Sequence, residues 1–307
     1  MVILKVNFQK IIQAIQFPNL KKERDWLKMK NVIIDIGNYN FKFKGDTQGL
    51  FSSKYHTNFE PNPEAYERIE FNGVTTYIGV GELEREYNKA DKNIIPQVLY
   101  AISKATKDND INLCLLMPLN QLPQKQVIID KFAGKSFKYV VNGQTRTTKV
   151  NKCVVLPEGQ CSYYSLTNPS PYQLVIDIGS KTINWCAYED GKMYKNGTEK
   201  LGTYDLYNSI MRIENAKGND FIQEDIEPQI KRGRIIVADS VYKDFLKDIL
   251  NRIKASINIK NHDTTFTGGG TVLLKDIISN IPSVEIHPSP IYSNVLGADI
   301  VCRKAWK

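Results

Sequence analysis

Two short segments of the chain repeat one chemical pattern. Residues 32–44 read Val-Ile-Ile-Asp-Ile-Gly-Asn-Tyr-Asn-Phe-Lys-Phe-Lys, and residues 174–186 read Leu-Val-Ile-Asp-Ile-Gly-Ser-Lys-Thr-Ile-Asn-Trp-Cys. Each is an apolar run ending in Asp-Ile-Gly, then a polar turn, then a second strand-like run. That is the pattern of a β-hairpin in which glycine supplies permissive dihedrals. A tight turn of this kind aims successive backbone N–H groups into one concavity, which suits a phosphate. The candidate contacts are Gly37, Asn38 and Asn40 in the first turn, and Gly179, Ser180, Lys181 and Thr182 in the second. Asp35 and Asp177 close the first strand of each hairpin and face the same space. Both suit Mg²⁺ held through water, because this ion keeps several waters and takes few carboxylates. Lys42, on the returning strand, has the reach to contact a β- or γ-phosphate. A single Ile-Asp-Ile-Gly is a common strand end; two copies in equivalent contexts, one in each half of the chain, favour the phosphate reading.

Two further segments bear on the same chemistry. In Thr265-Phe-Thr-Gly-Gly-Gly-Thr-Val-Leu-Leu274 an extended run meets Gly268, Gly269 and Gly270 before an apolar stretch suited to a helix. Backbone without side chains allows close approach to a base or ribose. In Cys153-Val-Val-Leu-Pro-Glu-Gly-Gln160 an apolar strand ends at Pro157 and presents Glu158 and Gln160. A carboxylate there either orients a water attacking a γ-phosphate or is a solvent-facing turn residue.

These residues need rigid elements beneath them. With 307 residues, 42% hydrophobic and 24% charged, the chain is long enough for one large or two medium globular domains. Apolar residues recur at helical spacing over Gly202–Glu214 and Val241–Ile257, and Asn168-Pro-Ser-Pro-Tyr172 has the turn chemistry of a connection between halves. Two α/β halves are expected, each a mixed sheet flanked by helices. No run of about 18 apolar residues exists, so no transmembrane helix or membrane partner is expected. The five cysteines (Cys114, Cys153, Cys161, Cys186 and Cys302) form no CxxC pair and several lie in apolar runs. They read as buried hydrophobes in a reducing cytoplasm rather than zinc ligands.

The net charge of +8 invites a nucleic-acid reading. Residues 1–28, however, hold six basic and two acidic residues and so supply half of it. The remaining lysines are spread out, and direct specific DNA binding is not expected. Those first 28 residues read as an extension, either a docking helix or an over-extended start ahead of Met29.

The four segments, in this order, resemble the superfamily of actin, heat-shock chaperone and sugar-kinase ATPases, and look most like plasmid-segregation actins of the ParM type. The resemblance runs from residue 30 to about 303. Asp35 to Lys42 resembles the family's first phosphate loop, Leu156-Pro157-Glu158 the connecting segment with its water-orienting glutamate, and Asp177 to Thr182 the second phosphate loop. Gly268 to Gly270 resembles the adenosine segment, Pro290 to Asp299 the returning C-terminal helix, and Gly79-Val80-Gly81 the strand before a first long helix. Ser180 and Lys181 depart from the family's glycines. Lys231-Arg232 is a candidate for the adenine wall, against the alternative of exposed helix charges.

The resemblance implies an actin-like ATPase fold, with domain I spanning 29–165 plus 291–307 and domain II spanning 172–290 around a nucleotide cleft. It implies binding of ATP, with GTP as the alternative, together with Mg²⁺. It further implies hydrolysis with Glu158 acting on water, head-to-tail filaments, and segregation of plasmid DNA through a DNA-binding adaptor protein. A small-molecule kinase or a non-polymerising nucleotide-binding scaffold of the same fold are the alternatives.

Overall fold

A computed structural model describes residues 29–84 and 86–306 of the chain. The expected N-terminal extension, residues 1–28, lies outside the described residues. Two compact units divide the rest: residues 29–167 with 292–306, and Asn168–Ile291.

The first unit is built on a nine-stranded sheet. Its strands are β1 (Lys30–Ile36), β2 (Asn40–Lys44), β3 (Gln48–Ser52), β4 (Tyr55–His56), β5 (Arg68–Phe71), β6 (Val74–Ile78), β7 (Asp110–Met117), β8 (Ser136–Val141) and β9 (Gln144–Pro157), in the order β3-β2-β1-β7-β9-β8-β5-β6-β4. β1 runs parallel to β7, and β7 parallel to β9. Both faces of this parallel part are covered, which is why β1 reads as an unbroken apolar run rather than an alternation. Val32, Ile34 and Ile36 pack into one core with Val98, Leu99 and Ile102 of the helix Ile95–Ala105. Ile33 points the other way, into a second core with Cys114, Leu116 and the helix Ser293–Ala305. By the period of two, Asp35 shares the face of Ile33.

The second unit has a five-stranded sheet of β10 (Tyr172–Ile178), β11 (Ile183–Glu189), β12 (Lys192–Glu199), β13 (Asp263–Thr267) and β14 (Val284–Ile286), in the order β12-β11-β10-β13-β14. Two antiparallel pairings are followed by two parallel ones. The run β3-β2-β1-β7-β9 of the first unit has the same pattern. The sequence echo is therefore also a structural one. Its core joins Leu174, Ile176 and Ile178 to Leu206, Ile210, Leu246 and Ile249 of the helices Thr203–Asn215 and Asp239–Lys254.

Several expected boundaries move. The C-terminal helix starts at Ser293 rather than Pro290 and runs to Ala305. Gly79-Val80-Gly81 is a turn after β6, with both glycines at positive φ, not a strand. The stretch after Gly268 forms two short helices, Gly269–Leu273 and Lys275–Ile278, instead of one.

Candidate functional site

In a parallel sheet, ligands bind beyond the carboxyl ends of the strands. The expected residues lie at those ends in each unit.

In the first unit, hairpin register sets Asp35 opposite Lys42 and Ile36 opposite Phe41. The turn is so tight that a Cβ on Gly37 would lie 2.1 Å from the carbonyl oxygen of Asn40. Ser53 holds it from outside: its hydroxyl donates to Gly37 O at 2.7 Å and its amide to Tyr39 O at 2.9 Å. Lys92 donates to the Asn38 side-chain oxygen at 2.6 Å. Asn40 opens β2, paired with Ser52 of β3.

Asp35 is buried, and Lys42 donates to its Oδ2 at 2.8 Å. Its Oδ1 has no hydrogen-bond partner, and the Lys89 ammonium stands 3.9 Å from it. Burial pushes the Asp35 carboxyl up, but the charges of Lys42 and Lys89 outweigh this and hold it below its ordinary value. The carboxyl is therefore ionised, with one buried oxygen open to accept from a metal-bound water. Among the described residues no group of three or more His, Cys, Asp and Glu side chains converges. A single buried carboxylate oxygen without a hydrogen-bond partner fits a cation that keeps its own water shell, as Mg²⁺ does.

Glu158 follows the end of β9. Its amide donates to Met117 O at 2.8 Å, and the next amide, of Gly159 at φ 71°, donates to the Asn294 side-chain oxygen at 2.8 Å. Glu158 is only 8% exposed, so it is not a solvent-facing turn residue. Its Oε1 accepts from the ammonium of Lys89, itself buried. Lys89 thus joins Glu158 and Asp35, residues that the sequence places far apart.

In the second unit the hairpin is built alike. Asp177 pairs with Asn184, and the Gly179 amide donates to Thr182 O at 2.9 Å. Asn184 stands where the first hairpin has Lys42, and accepts from the Thr198 hydroxyl at 2.8 Å. The carbonyls of Gly179 and Ser180 accept from the amides of Thr203 and Tyr204, which seats the turn on the start of the helix Thr203–Asn215. Lys181, half-buried, lies with its ammonium 5.9 Å from the centre of the Tyr204 ring; Thr182 is buried.

Two of the three glycines pack against the strand end that leads into this turn. Gly268 has φ +87°, and a Cβ there would lie 2.3 Å from Asp177 Oδ1; a Cβ on Gly270 would lie 2.3 Å from the Ile178 side chain. Gly269 is exposed with open space at its Cβ position. Lys231 ends the helix Gln223–Lys231 and pairs with Glu227 at 2.6 Å, on an exposed side chain. Sequence reasoning assigned no role to Lys89, Lys92, Ser53 and Asn294. Each acts on a partner distant in sequence, and no local spacing marks it.

No protein-family model matches the chain, and no curated protein matches it in sequence. Solved structures do match. An archaeal actin homologue aligns over 90% of this chain and 100% of its own, with 16% identity and a TM-score of 0.77. A subunit of a 15-stranded ParM filament from Clostridium botulinum aligns over 90% and 99%, with 15% identity and a TM-score of 0.74. The chain has the actin-like ATPase fold. AlfA from a Bacillus subtilis plasmid, solved as a filament, shares the actin-like fold at 22% identity and a TM-score of 0.61, over 89% of this chain and 98% of its own. The archaeal homologue has also been solved in complex with ADP. Among the described residues no helix is long and apolar enough to cross a membrane, and all five cysteines are free and buried.

Proposed function

We propose that this actin-like chain binds ATP, with GTP as the alternative nucleotide, and hydrolyses it to drive filament assembly and disassembly. The observation that carries the reading is the buried pair of carboxylates, Asp35 and Glu158, at the carboxyl ends of β1 and β9 and joined by Lys89. Asp35 and Asp177 are assigned to hydrated Mg²⁺, which when bound neutralises charge on the transferred phosphoryl group. The turn residues Gly37, Asn38 and Asn40 with Lys42, and Gly179 to Thr182, take phosphate oxygens. Gly268 to Gly270 line the adenosine. Glu158 accepts a hydrogen bond from the attacking water and aims its oxygen at the γ-phosphorus; the bond to the leaving ADP oxygen breaks as the new bond forms, and the water's proton passes to the phosphate released.

The ADP complex of the archaeal homologue supports nucleotide binding, and the ParM and AlfA filaments support self-association. Head-to-tail contacts between identical subunits generate a helical filament where their rotation does not close a ring. Filament growth on ATP and loss after hydrolysis would move plasmid DNA through a DNA-binding adaptor protein. The free cysteines support a cytoplasmic setting.

Phosphate release from Mg²⁺-ATP tests the enzymatic part. Glu158→Gln should retain a fluorescent ATP analogue yet lose on the order of 10²–10⁴-fold in turnover. Equal turnover in the variant and the wild type would remove Glu158 from the mechanism.

A further inference from the structure

Lys89 is 1% exposed, among the most buried side chains of the first unit, in a loop that lies outside every strand and helix. Its ammonium donates to Glu158 Oε1, lies 3.4 Å from Leu116 O and stands 3.9 Å from Asp35 Oδ1. Removing an ammonium from water is unfavourable unless paired charge compensates it. A loop that needed only to pack would bury an apolar side chain here.

The loop itself is held by side chains from a neighbouring stretch. The Lys89 amide donates to Gln121 Oε1 at 2.9 Å, and Gln121 Nε2 donates to Tyr87 O at 3.2 Å. Asn120 donates to the Tyr87 hydroxyl at 3.3 Å. Lys131 donates to Ala90 O at 2.8 Å and to Lys92 O at 2.9 Å. The backbone is fixed on both sides of Lys89, and its ammonium is therefore delivered to one place.

We propose that Lys89 is a positioning residue of the hydrolytic site: its ammonium pins the Glu158 carboxylate beside Asp35 so that Glu158 meets the attacking water already aimed. The proposal rests on the ATP-hydrolysing reading above. Lys89 acts through Glu158 rather than on the nucleotide. A carboxylate held in this way needs no reorganisation when charge develops in the transition state. An aligned but unpinned Glu158 would turn away for part of the time, which lowers turnover and leaves binding unaffected.

The test compares wild type, Lys89→Met, Lys89→Arg, Glu158→Gln and the Lys89→Met/Glu158→Gln double variant in the full chain. Turnover of Mg²⁺-ATP, affinity for a fluorescent ATP analogue and thermal unfolding without nucleotide are measured for each. Lys89→Met should lose about tenfold to a hundredfold in kcat while affinity changes by less than about threefold. Lys89→Arg, which keeps the charge, should recover part of that loss. In the Glu158→Gln background the Lys89 substitution should change kcat by less than about twofold, because residues acting as a unit are not additive.

Without nucleotide, the double variant should unfold at a higher temperature than Lys89→Met, since glutamine removes the buried negative charge that Lys89 offsets. Losses that multiply in the double variant, or a loss of affinity in place of kcat, would overturn the proposal. If Lys89→Met does not fold, turnover in Glu158→Gln against the double variant decides alone: equality supports positioning, and a further tenfold loss contradicts it. A wild type that binds ATP but releases no phosphate overturns the hydrolytic reading and this proposal with it, an outcome distinct from the others.

Discussion

Asp35 and Asp177 occupy equivalent places in two hairpins but have different neighbours. Lys42 and Lys89 flank the first, whereas Gly268 backs the second and Asn184 stands opposite it. The Asp-Ile-Gly pattern was legible because strand end, turn and return strand are contiguous. Lys89 was not: it lies 69 residues from Glu158 in a polar loop without periodicity. The second hairpin's demand for glycine gives a sharp prediction. Gly268→Ala places a Cβ against Asp177 Oδ1 at a φ that L side chains rarely adopt. It should destabilise the protein by about 1–3 kcal/mol, read from a urea midpoint, and weaken nucleotide binding. Gly269→Ala, whose Cβ meets open space, should leave stability within about 0.5–1 kcal/mol of wild type.

At the scale of elements, the returning C-terminal helix, held by Asn294 on the Gly159 amide and by the core around Ile33, also makes one backbone approach too close for a side chain. A Cβ on Gly297 would lie 1.7 Å from Cys161 O in the short helix Gln160–Tyr164, which directly follows Glu158 and Gly159. Gly297→Ala should therefore destabilise by about 1–3 kcal/mol or more by overpacking, and should disturb Glu158 as well, so turnover falls with stability.

A second element contact depends on pH. Glu67 accepts from the Tyr100 hydroxyl at 2.6 Å and from Asn142 at 2.8 Å, and pairs with Lys104 at 2.9 Å. Burial raises its pKa, but these partners prevail and bring it down to about 2. Because the folded value lies below the unfolded one, the stabilisation is complete above about 4.5 and is lost as pH falls toward about 2. Wild type and Glu67→Gln should differ in melting temperature at neutral pH and converge across that window.

Helical periodicity located the helices Thr203–Asn215 and Asp239–Lys254 to within a few residues. The apolar stretch after Gly268 is helical as expected over Gly269–Leu273, but the chain turns at Leu274 into a second short helix, Lys275–Ile278. Propensity and apolar spacing do not record such a break, which tertiary packing sets.

For the whole molecule, the shared strand pattern of the two units explains why one motif occurs twice: each sheet has a strand, antiparallel to one neighbour and parallel to the other, with an aspartate one residue before its end and a glycine turn after it. The nine-stranded sheet extends this pattern with β8, β5, β6 and β4. The order of the four segments made the actin-like fold legible in the sequence. Assembly is different, because it depends on surface contacts that no motif marks. The central claim, an ATP-driven filament, is tested most directly by 90° light scattering of the full chain with Mg²⁺-ATP, followed alongside phosphate release, for wild type and Glu158→Ala. The account predicts a rise that decays as phosphate is released in the wild type and persists in the variant. No rise at any protein concentration, with nucleotide still bound, would contradict it.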